Sequence, residues 1–284
     1  MLALFASVRG YTLLTIIIAQ YLSARYIFAP QHKWNDIIFD QKLFMLVLAT
    51  SFAIAGGYLI NNFYDAEKDQ INRPQKYLLE NRVSAPFQLL CYGVLNFCAL
   101  LLSVIVSHRT LPFFGVYIFG LWLYSHLLKK QFWASNVFAV LLAVTPFFVI
   151  TLYFKNFSSI VFYHGAFLFL VVLIRDLIKD LENFRGDWVR EYKTIAVVFG
   201  ETTTKKVITF LVLLTFIPIR FLLTQKEILG TMWYYFLVAI PFLLLIVLIL
   251  WKSPVQKTYL WLHNLLKFLI VTGILSIMLI RFPL

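Results

Sequence analysis

Charged residues are scarce in this sequence: only 13% of its 284 residues are Asp, Glu, Lys or Arg, while 61% are hydrophobic. A soluble globular domain carries about twice that share of charge, so this class is excluded. The two cysteines, Cys91 and Cys98, lie in one apolar run, which excludes a disulfide framework and a CxxC site. The first thirty residues lack a short apolar core with a small-residue cleavage site, so residues 11–28 are interpreted as a membrane span and not as a signal peptide.

Long apolar runs take up most of the chain, and each is close to the ~20 residues that cross a bilayer as a helix. They predict an all-α, polytopic membrane protein with nine transmembrane helices, formed by residues 1–284 as a single domain. The predicted spans are 11–28, 43–63, 86–107, 111–128, 135–154, 160–180, 205–223, 232–250 and 259–280.

The lysines and arginines orient these spans. With the N-terminus inside, sixteen of them lie on the inner side and eight on the outer side, so the inner loops are predicted to be cytoplasmic. The formal net charge is +12, but the basic residues lie in short loops between spans, which favours anionic lipids and a phosphorylated substrate as partners over nucleic acid. We expect a multi-pass protein of a bacterial inner membrane, with no obligate protein partner.

The acidic residues cluster. Ten of the thirteen lie in two inner loops and the helix ends beside them: Asp65, Glu67, Asp69, Glu80, Asp176, Asp180, Glu182, Asp187, Glu191 and Glu201. The preference of Lys and Arg for cytoplasmic loops does not explain this clustering of acidic residues, so we expect a polar cavity at one membrane surface.

The first acidic stretch places Asn61, Asp65 and Asp69 at i, i+4 and i+8, which is one face of a helix. Neighbouring carboxylates repel one another unless a cation lies among them, and oxygen ligands of this kind suit Mg²⁺. The stretch is therefore predicted to bind magnesium, and the alternative is a solvated helix end with ordinary surface charges.

The second acidic stretch follows the sixth span and places Asp176, Asp180, Asn183 and Asp187 along one helical stripe, although Gly186 could loosen the helix before Asp187. Two or more Mg²⁺ ions with a diphosphate between them would balance the charge of both stretches.

A prenyl diphosphate fits a charged site above an apolar chamber, because it joins a charged head to a hydrocarbon tail. Nearby basic residues are expected to neutralise the diphosphate, namely Arg73, Lys129, Lys130 and Lys193. Tyr64, Tyr124 and Tyr163 are candidates for stabilising an allylic carbocation through their ring faces.

The N-x-x-x-D-x-x-x-D pattern followed by Asn72-Arg73-Pro74 resembles the first signature of the UbiA superfamily of intramembrane prenyltransferases. The second stretch resembles the second aspartate motif of that family. The segment from Leu123 to Asn136 and the Lys193-Thr194 pair with Gly200 are also similar to family elements. The resemblance implies nine helices around a central cavity.

The resemblance also implies roles by matching position. Metal ligands would be Asn61, Asp65, Asp69, Asp176, Asp180 and Asp187. The catalytic residues would be Asp65, Asp69, Asp176 and Asp180. Substrate would be bound by Asn61, Asn72, Arg73, Lys129, Lys130, Asn183, Lys193 and Tyr124. Many members have Asp where Asn183 stands, which implies a weaker second metal site.

The R-D-x-x-K-D run is most similar to the digeranylgeranylglyceryl phosphate synthase-like branch, which implies transfer of a prenyl group to a lipid-glycerol hydroxyl. An aromatic acceptor, 4-hydroxybenzoate or a naphthoate, is the alternative enzyme hypothesis. A membrane transporter is the non-enzyme hypothesis, but polar residues are rare inside the spans. A CDP-alcohol phosphotransferase is disfavoured because the D-G-x-x-A-R element is absent.

Overall fold

The computed structural model describes residues 7–72, 74–80, 83–131, 135–225, 230–252 and 255–280. Every regular element within these ranges is helical, as the sequence predicts. In chain order the helices are α1 (Gly10–Ser23), α2 (Trp34–Ile38), α3 (Gln41–Asn72), α4 (Pro74–Glu80), α5 (Ala85–Val106), α6 (Thr110–Leu123), α7 (Lys129–Gln131), α8 (Ser135–Phe154), α9 (Ser159–Val189), α10 (Ile195–Thr224), α11 (Trp233–Lys252) and α12 (Gln256–Ser276). Single π-helical turns extend α1 to Phe28 and α6 to Leu128.

Nine of the described helices are long and apolar enough to cross a membrane, which confirms the predicted number of spans. They are α1, α3, α5, α6, α8, α9, α10, α11 and α12, some with their adjoining turns. The helices α3 and α9 run well beyond the predicted spans 43–63 and 160–180. Both acidic stretches are therefore continuous extensions of transmembrane helices, and α9 continues through Gly186 without a break.

The start of α10 lies ten residues before the predicted seventh span because Thr194 caps it. The Thr194 side chain accepts a hydrogen bond from the backbone N–H of Val197 at 3.3 Å. Gly200 then interrupts the helical conformation with φ of 81°, a backbone region that glycine adopts without steric cost. The loop before α10 is thereby fixed beside the acidic end of α9.

The two helices that carry the acidic stretches are also the most buried spans. Within an 18-residue apolar window, 72% of the residues of α3 and 50% of those of α9 are buried, against 22–39% in the other seven. Neighbouring helices therefore surround α3 and α9 more completely than any other described span.

Two glycines allow α3 to approach its neighbours closely, as their small size predicts. A Cβ atom on Gly56 would lie 2.9 Å from Asn96 Oδ1 of α5, and one on Gly57 would lie 3.0 Å from the Leu121 side chain of α6. A larger residue at either position would require the Asn96 or Leu121 side chain to move.

Candidate active site

Both acidic stretches line one cavity of about 390 Å³. Asn61, Asp65 and Asp69 reach it from α3, and Asp176, Asp180 and Asn183 reach it from α9. Residues from α1, α6, α8 and α12 complete its wall. The structure thus brings together two stretches that lie about 110 residues apart in the sequence.

Lys129 provides a positive charge at the first stretch. Its Nζ lies 2.9 Å from Asp65 Oδ1 and 3.0 Å from Asn61 Oδ1, and its side chain is only 6% exposed. Asn61 in turn donates to Asp65 Oδ2 at 2.8 Å. These contacts compensate for the burial of the Asp65 carboxylate, which is 15% exposed.

Tyr192 adds a further donor to Asp65 from the loop after α9. Its hydroxyl lies 3.1 Å from Asp65 Oδ1. Burial, and then the Asp65 charge, raise the pKa of the Tyr192 phenol, so this group stays protonated and donates the hydrogen bond. No sequence motif indicates this role for Tyr192, because the contact joins positions 127 residues apart.

The loop that carries Tyr192 contacts both Glu67 of α3 and Lys130. The backbone N–H of Lys193 donates to the carbonyl oxygen of Lys130 at 2.9 Å. Arg190 forms an ion pair with Glu67 of α3 at 3.0 Å, although both side chains are exposed and the pair adds little stability. These contacts hold the loop between α9 and α10 against the first acidic stretch.

Asn136 of α8 connects the aspartates of the second stretch. Its Nδ2 donates to Asp180 Oδ2 at 2.9 Å and to Asp176 Oδ2 at 3.4 Å. The Asn136 Oδ1 atom is buried and has no hydrogen-bond partner among the described residues. An oxygen in this position is open to a cation or a donor group.

The donor set fits Mg²⁺, although no preassembled cluster of three His, Cys, Asp or Glu side chains occurs in the part of the chain that the structure describes. Magnesium is commonly bound by one or two carboxylates, with water and substrate phosphate in its other positions. Each stretch supplies two aspartates to the cavity, and the Asn136 oxygen lies beside the second pair. Two carboxylates per stretch are therefore enough to bind one Mg²⁺ ion each, with water and substrate phosphate as the other ligands.

A second, apolar chamber of about 240 Å³ adjoins the polar cavity. Six residues line both spaces: Thr12, Ile16, Ala143, Pro146, Val172 and Ile270. The chamber extends along α9 as far as His164, twelve residues before Asp176, which is about 18 Å of helix. A charged head in the cavity and a long hydrocarbon tail in the chamber would both be accommodated.

The structure places the other predicted site residues as follows. Tyr124 lines the cavity. Lys130 and Lys193 are exposed and Asp187 is fully buried, and none of these three is among the residues that line it. Arg73 and the side chain of Asn72 lie outside the described residues. The assigned roles of these five residues stay predictions.

Two of the three tyrosines considered for carbocation stabilisation lie elsewhere. Tyr163 stacks on Phe221 with ring centroids 4.5 Å apart, and Tyr64 packs against His126 at 5.2 Å. Neither is among the residues that line the cavity. Tyr124 is the remaining candidate of the three.

Arg9, Arg175 and Lys179 also line the cavity, although no sequence motif indicates that they belong to the site. Arg9 lies 4.9 Å from the centre of the Tyr58 ring, just before α1. Arg175 and Lys179 flank Asp176 on α9. The alternation of basic and acidic residues in this stretch was the available signal, but it does not distinguish cavity-lining cations from lipid-facing ones.

The model of the UbiA prenyltransferase family matches residues 12–279. The chain belongs to this family. The match covers both acidic stretches and all nine predicted spans except the first residue of one and the last of another. It identifies the protein as a prenyltransferase and confirms the resemblance seen in the sequence, so the transporter and phosphotransferase hypotheses are disfavoured.

Curated relatives of this UbiA family member are digeranylgeranylglyceryl phosphate synthases. The protein from Korarchaeum cryptofilum is 25% identical over 246 residues, with 85% of this chain and 86% of the relative covered. The protein from Thermococcus sibiricus is 28% identical over 244 residues, with 83% of each chain covered.

Solved structures share the fold. One, described as giving insight into digeranylgeranylglyceryl phosphate synthase in membranes, has a TM-score of 0.76 at 20% identity and covers 97% of this chain and 96% of its own. A UbiA homologue from Archaeoglobus fulgidus, bound to GPP and Mg²⁺, has a TM-score of 0.69 at 15% identity, covering 97% of this chain and 99% of its own.

Proposed function

We propose that this protein transfers a polyprenyl group from a prenyl diphosphate to the hydroxyl of a prenylglyceryl phosphate, with Mg²⁺ as cofactor. The observation that carries the proposal is the convergence of Asp65, Asp69, Asp176 and Asp180 on one cavity that adjoins an apolar chamber. The names of the curated relatives support a lipid acceptor over an aromatic one.

The donor's head would be held between the two stretches. Asp65 and Asp69, with Asn61, would hold one metal ion, and Asp176 and Asp180 another. Mg²⁺ bound there would neutralise the diphosphate and make it a better leaving group. Lys129 lies 2.9 Å from Asp65, within reach of the same head, and adds a fixed positive charge.

The apolar chamber would hold the donor's tail and exclude water from the reacting carbon. The C–O bond between that carbon and the diphosphate would break with its electron pair leaving on the diphosphate. A bond to the acceptor oxygen would form, and the hydroxyl proton would pass to the released diphosphate. Tyr124 lines the cavity, and its ring would stabilise the positive charge that develops on the prenyl group.

We further propose that the cavity mouth faces the cytoplasm, as the distribution of basic residues predicts. The sequence-based expectation of a bacterial inner membrane stays a prediction. The curated relatives do not support it, because they come from archaea such as Saccharolobus solfataricus.

The test is an assay of purified protein in vesicles with labelled geranylgeranyl diphosphate and three acceptors: a prenylglyceryl phosphate, 4-hydroxybenzoate and a naphthoate. We expect a labelled product with the first acceptor only. Asp65→Ala and Asp180→Ala should each lower the rate at least about a hundredfold, because each removes a charged ligand. Glu67→Gln is the matched control, since Glu67 is an exposed acid of the same stretch that pairs with Arg190.

A product with an aromatic acceptor alone would refute the lipid assignment. Full activity of both aspartate variants, or full activity after removal of Mg²⁺ by a chelator, would refute the metal assignment.

A further inference from the structure

Arg175 connects the cavity to a buried polar pair behind its wall. The Arg175 Nη2 atom lies 3.0 Å from His263 Nε2 of α12, and His263 Nδ1 lies 3.1 Å from Glu182 Oε2 of α9. The side chains of His263 and Glu182 are 5% and 12% exposed, and neither residue lines the cavity. The three residues form a carboxylate–imidazole–guanidinium chain that ends at the cavity.

The direction of each hydrogen bond in this chain follows from chemistry. Arginine only donates, so His263 Nε2 must accept from Arg175. The imidazole proton then resides on Nδ1 and is donated to Glu182. Every bond in the chain points the same way, so Glu182 fixes the ring and the ring fixes the guanidinium.

Arg175 has further donors to offer. Its Nε is buried without a hydrogen-bond partner among the described residues, and no described carboxylate lies within ion-pair distance of it. Leaving a charged donor unsatisfied in a largely buried position is costly. A planar guanidinium fits the oxygens of a phosphate, which can accept two parallel hydrogen bonds from it.

The location of Arg175 separates it from Lys129. Lys129 contacts Asp65 and Asn61 of α3, whereas Arg175 is held toward α12 by His263. Of the cationic residues that line the cavity, Lys129 therefore contacts the first acidic stretch and Arg175 is held toward α12. A site that binds two substrates, each with an anionic head, can use a separate cation for each head.

We propose that Arg175 binds the phosphate monoester of the acceptor and that His263 and Glu182 are positioning residues for it. This inference rests on the proposed function, because it assigns the acceptor of the same site. It goes further in naming an anionic head as the feature that selects the acceptor.

The experiment compares His263→Leu with His263→Gln in the vesicle assay. Glutamine can place an acceptor oxygen where Nε2 lies, whereas leucine cannot. We expect His263→Leu to raise KM for the prenylglyceryl phosphate about tenfold, the effect of losing one charge-assisted hydrogen bond, with kcat and the donor KM changed less than twofold. His263→Gln should stay within about threefold of the wild type.

Tyr259→Phe is the matched structural control. Tyr259 lies one turn before His263 on α12 and donates to Glu201 of α10 at 2.7 Å, so this variant removes another hydrogen bond between helices away from the cavity. It should leave the acceptor KM unchanged. If His263→Leu does not fold, Glu182→Gln tests the same chain, and it should raise the acceptor KM about threefold.

An unchanged acceptor KM in the folded variant would overturn the inference, and so would a rise in the donor KM, which would assign Arg175 to the diphosphate. Equilibrium binding of the prenylglyceryl phosphate without donor or Mg²⁺ separates this from the proposed function. Weaker binding to His263→Leu than to the wild type would support the phosphate site even if no transfer occurred. Equal binding would overturn it.

Discussion

Replacing Lys129 with methionine tests how the first acidic stretch is held together. Methionine keeps much of the length and apolar stem of lysine but removes the charge. Asp65 would lose its contact at 2.9 Å and would keep its hydrogen bonds from Asn61 and Tyr192. The variant takes the Lys129 charge away from a mostly buried carboxylate.

The cost follows from the burial of the pair. Removing one partner of a buried ion pair typically destabilises a protein by about 3–5 kcal/mol. Because Asp65 is 15% exposed and keeps two donors, we expect about 2 kcal/mol. For a chain of 284 residues that loss lowers Tm by about 3 °C.

Magnesium should restore this loss in the variant. Binding to the folded state alone adds about 2.7 kcal/mol when the ion is present at a hundredfold excess over its Kd. The measurement is thermal unfolding of the purified protein with and without Mg²⁺, in the absence of substrate. We expect Mg²⁺ to raise Tm more in Lys129→Met than in the wild type, because the ion replaces the missing charge.

Lys205→Met is the matched control. Lys205 is 7% exposed and pairs with Glu201 at 2.8 Å, and neither residue lines the cavity. This variant should lose stability without gaining a response to Mg²⁺. Equal magnesium responses in the wild type and in Lys129→Met would refute the assignment of Asp65 as a magnesium ligand.

Three further predictions concern Asn136, Gly56 and Asn183. Asn136→Leu removes the donor shared by Asp176 and Asp180, and the magnesium concentration for half-maximal rate should change at least about threefold, which a titration measures; an unchanged value would contradict the role of Asn136 in orienting them. Gly56→Ala should destabilise the protein by about 1–3 kcal/mol, since its Cβ would meet Asn96, whereas Gly93→Ala, with open space at its Cβ, should be neutral or stabilising in the same unfolding assay. Asn183→Asp adds a carboxylate to the cavity and should lower the magnesium concentration for half-maximal rate, and an unchanged titration would make this position a bystander.

The sequence predicted the features that depend on helical periodicity. The spacing of Asn61, Asp65 and Asp69 required only that the helix continue beyond the membrane, and α3 does continue to Asn72. The nine spans followed from the length and apolarity of each run. Local spacing therefore gave both the helices and the faces that line the cavity.

Contacts between distant positions could not be predicted in the same way. Nothing near Tyr192 in the sequence indicates that its hydroxyl lies 3.1 Å from Asp65. Nothing in the sequence links His263 with Arg175 and Glu182, and only the approach of α12 to α9 reveals its place between them. Such pairings depend on how the helices assemble, which the periodicity of a single chain does not encode.

The contact between Lys129 and Asp65 has a consequence for the order of binding. Because Lys129 already pairs with Asp65, the enzyme without substrate should bind free divalent ions weakly at this carboxylate. Under the proposed function, an Mg²⁺ ion already bound to the donor diphosphate would bring phosphate oxygens as ligands and would need fewer ligands from the protein. Metal and donor should therefore arrive as one complex, and prior incubation with magnesium alone should shorten no lag in product formation.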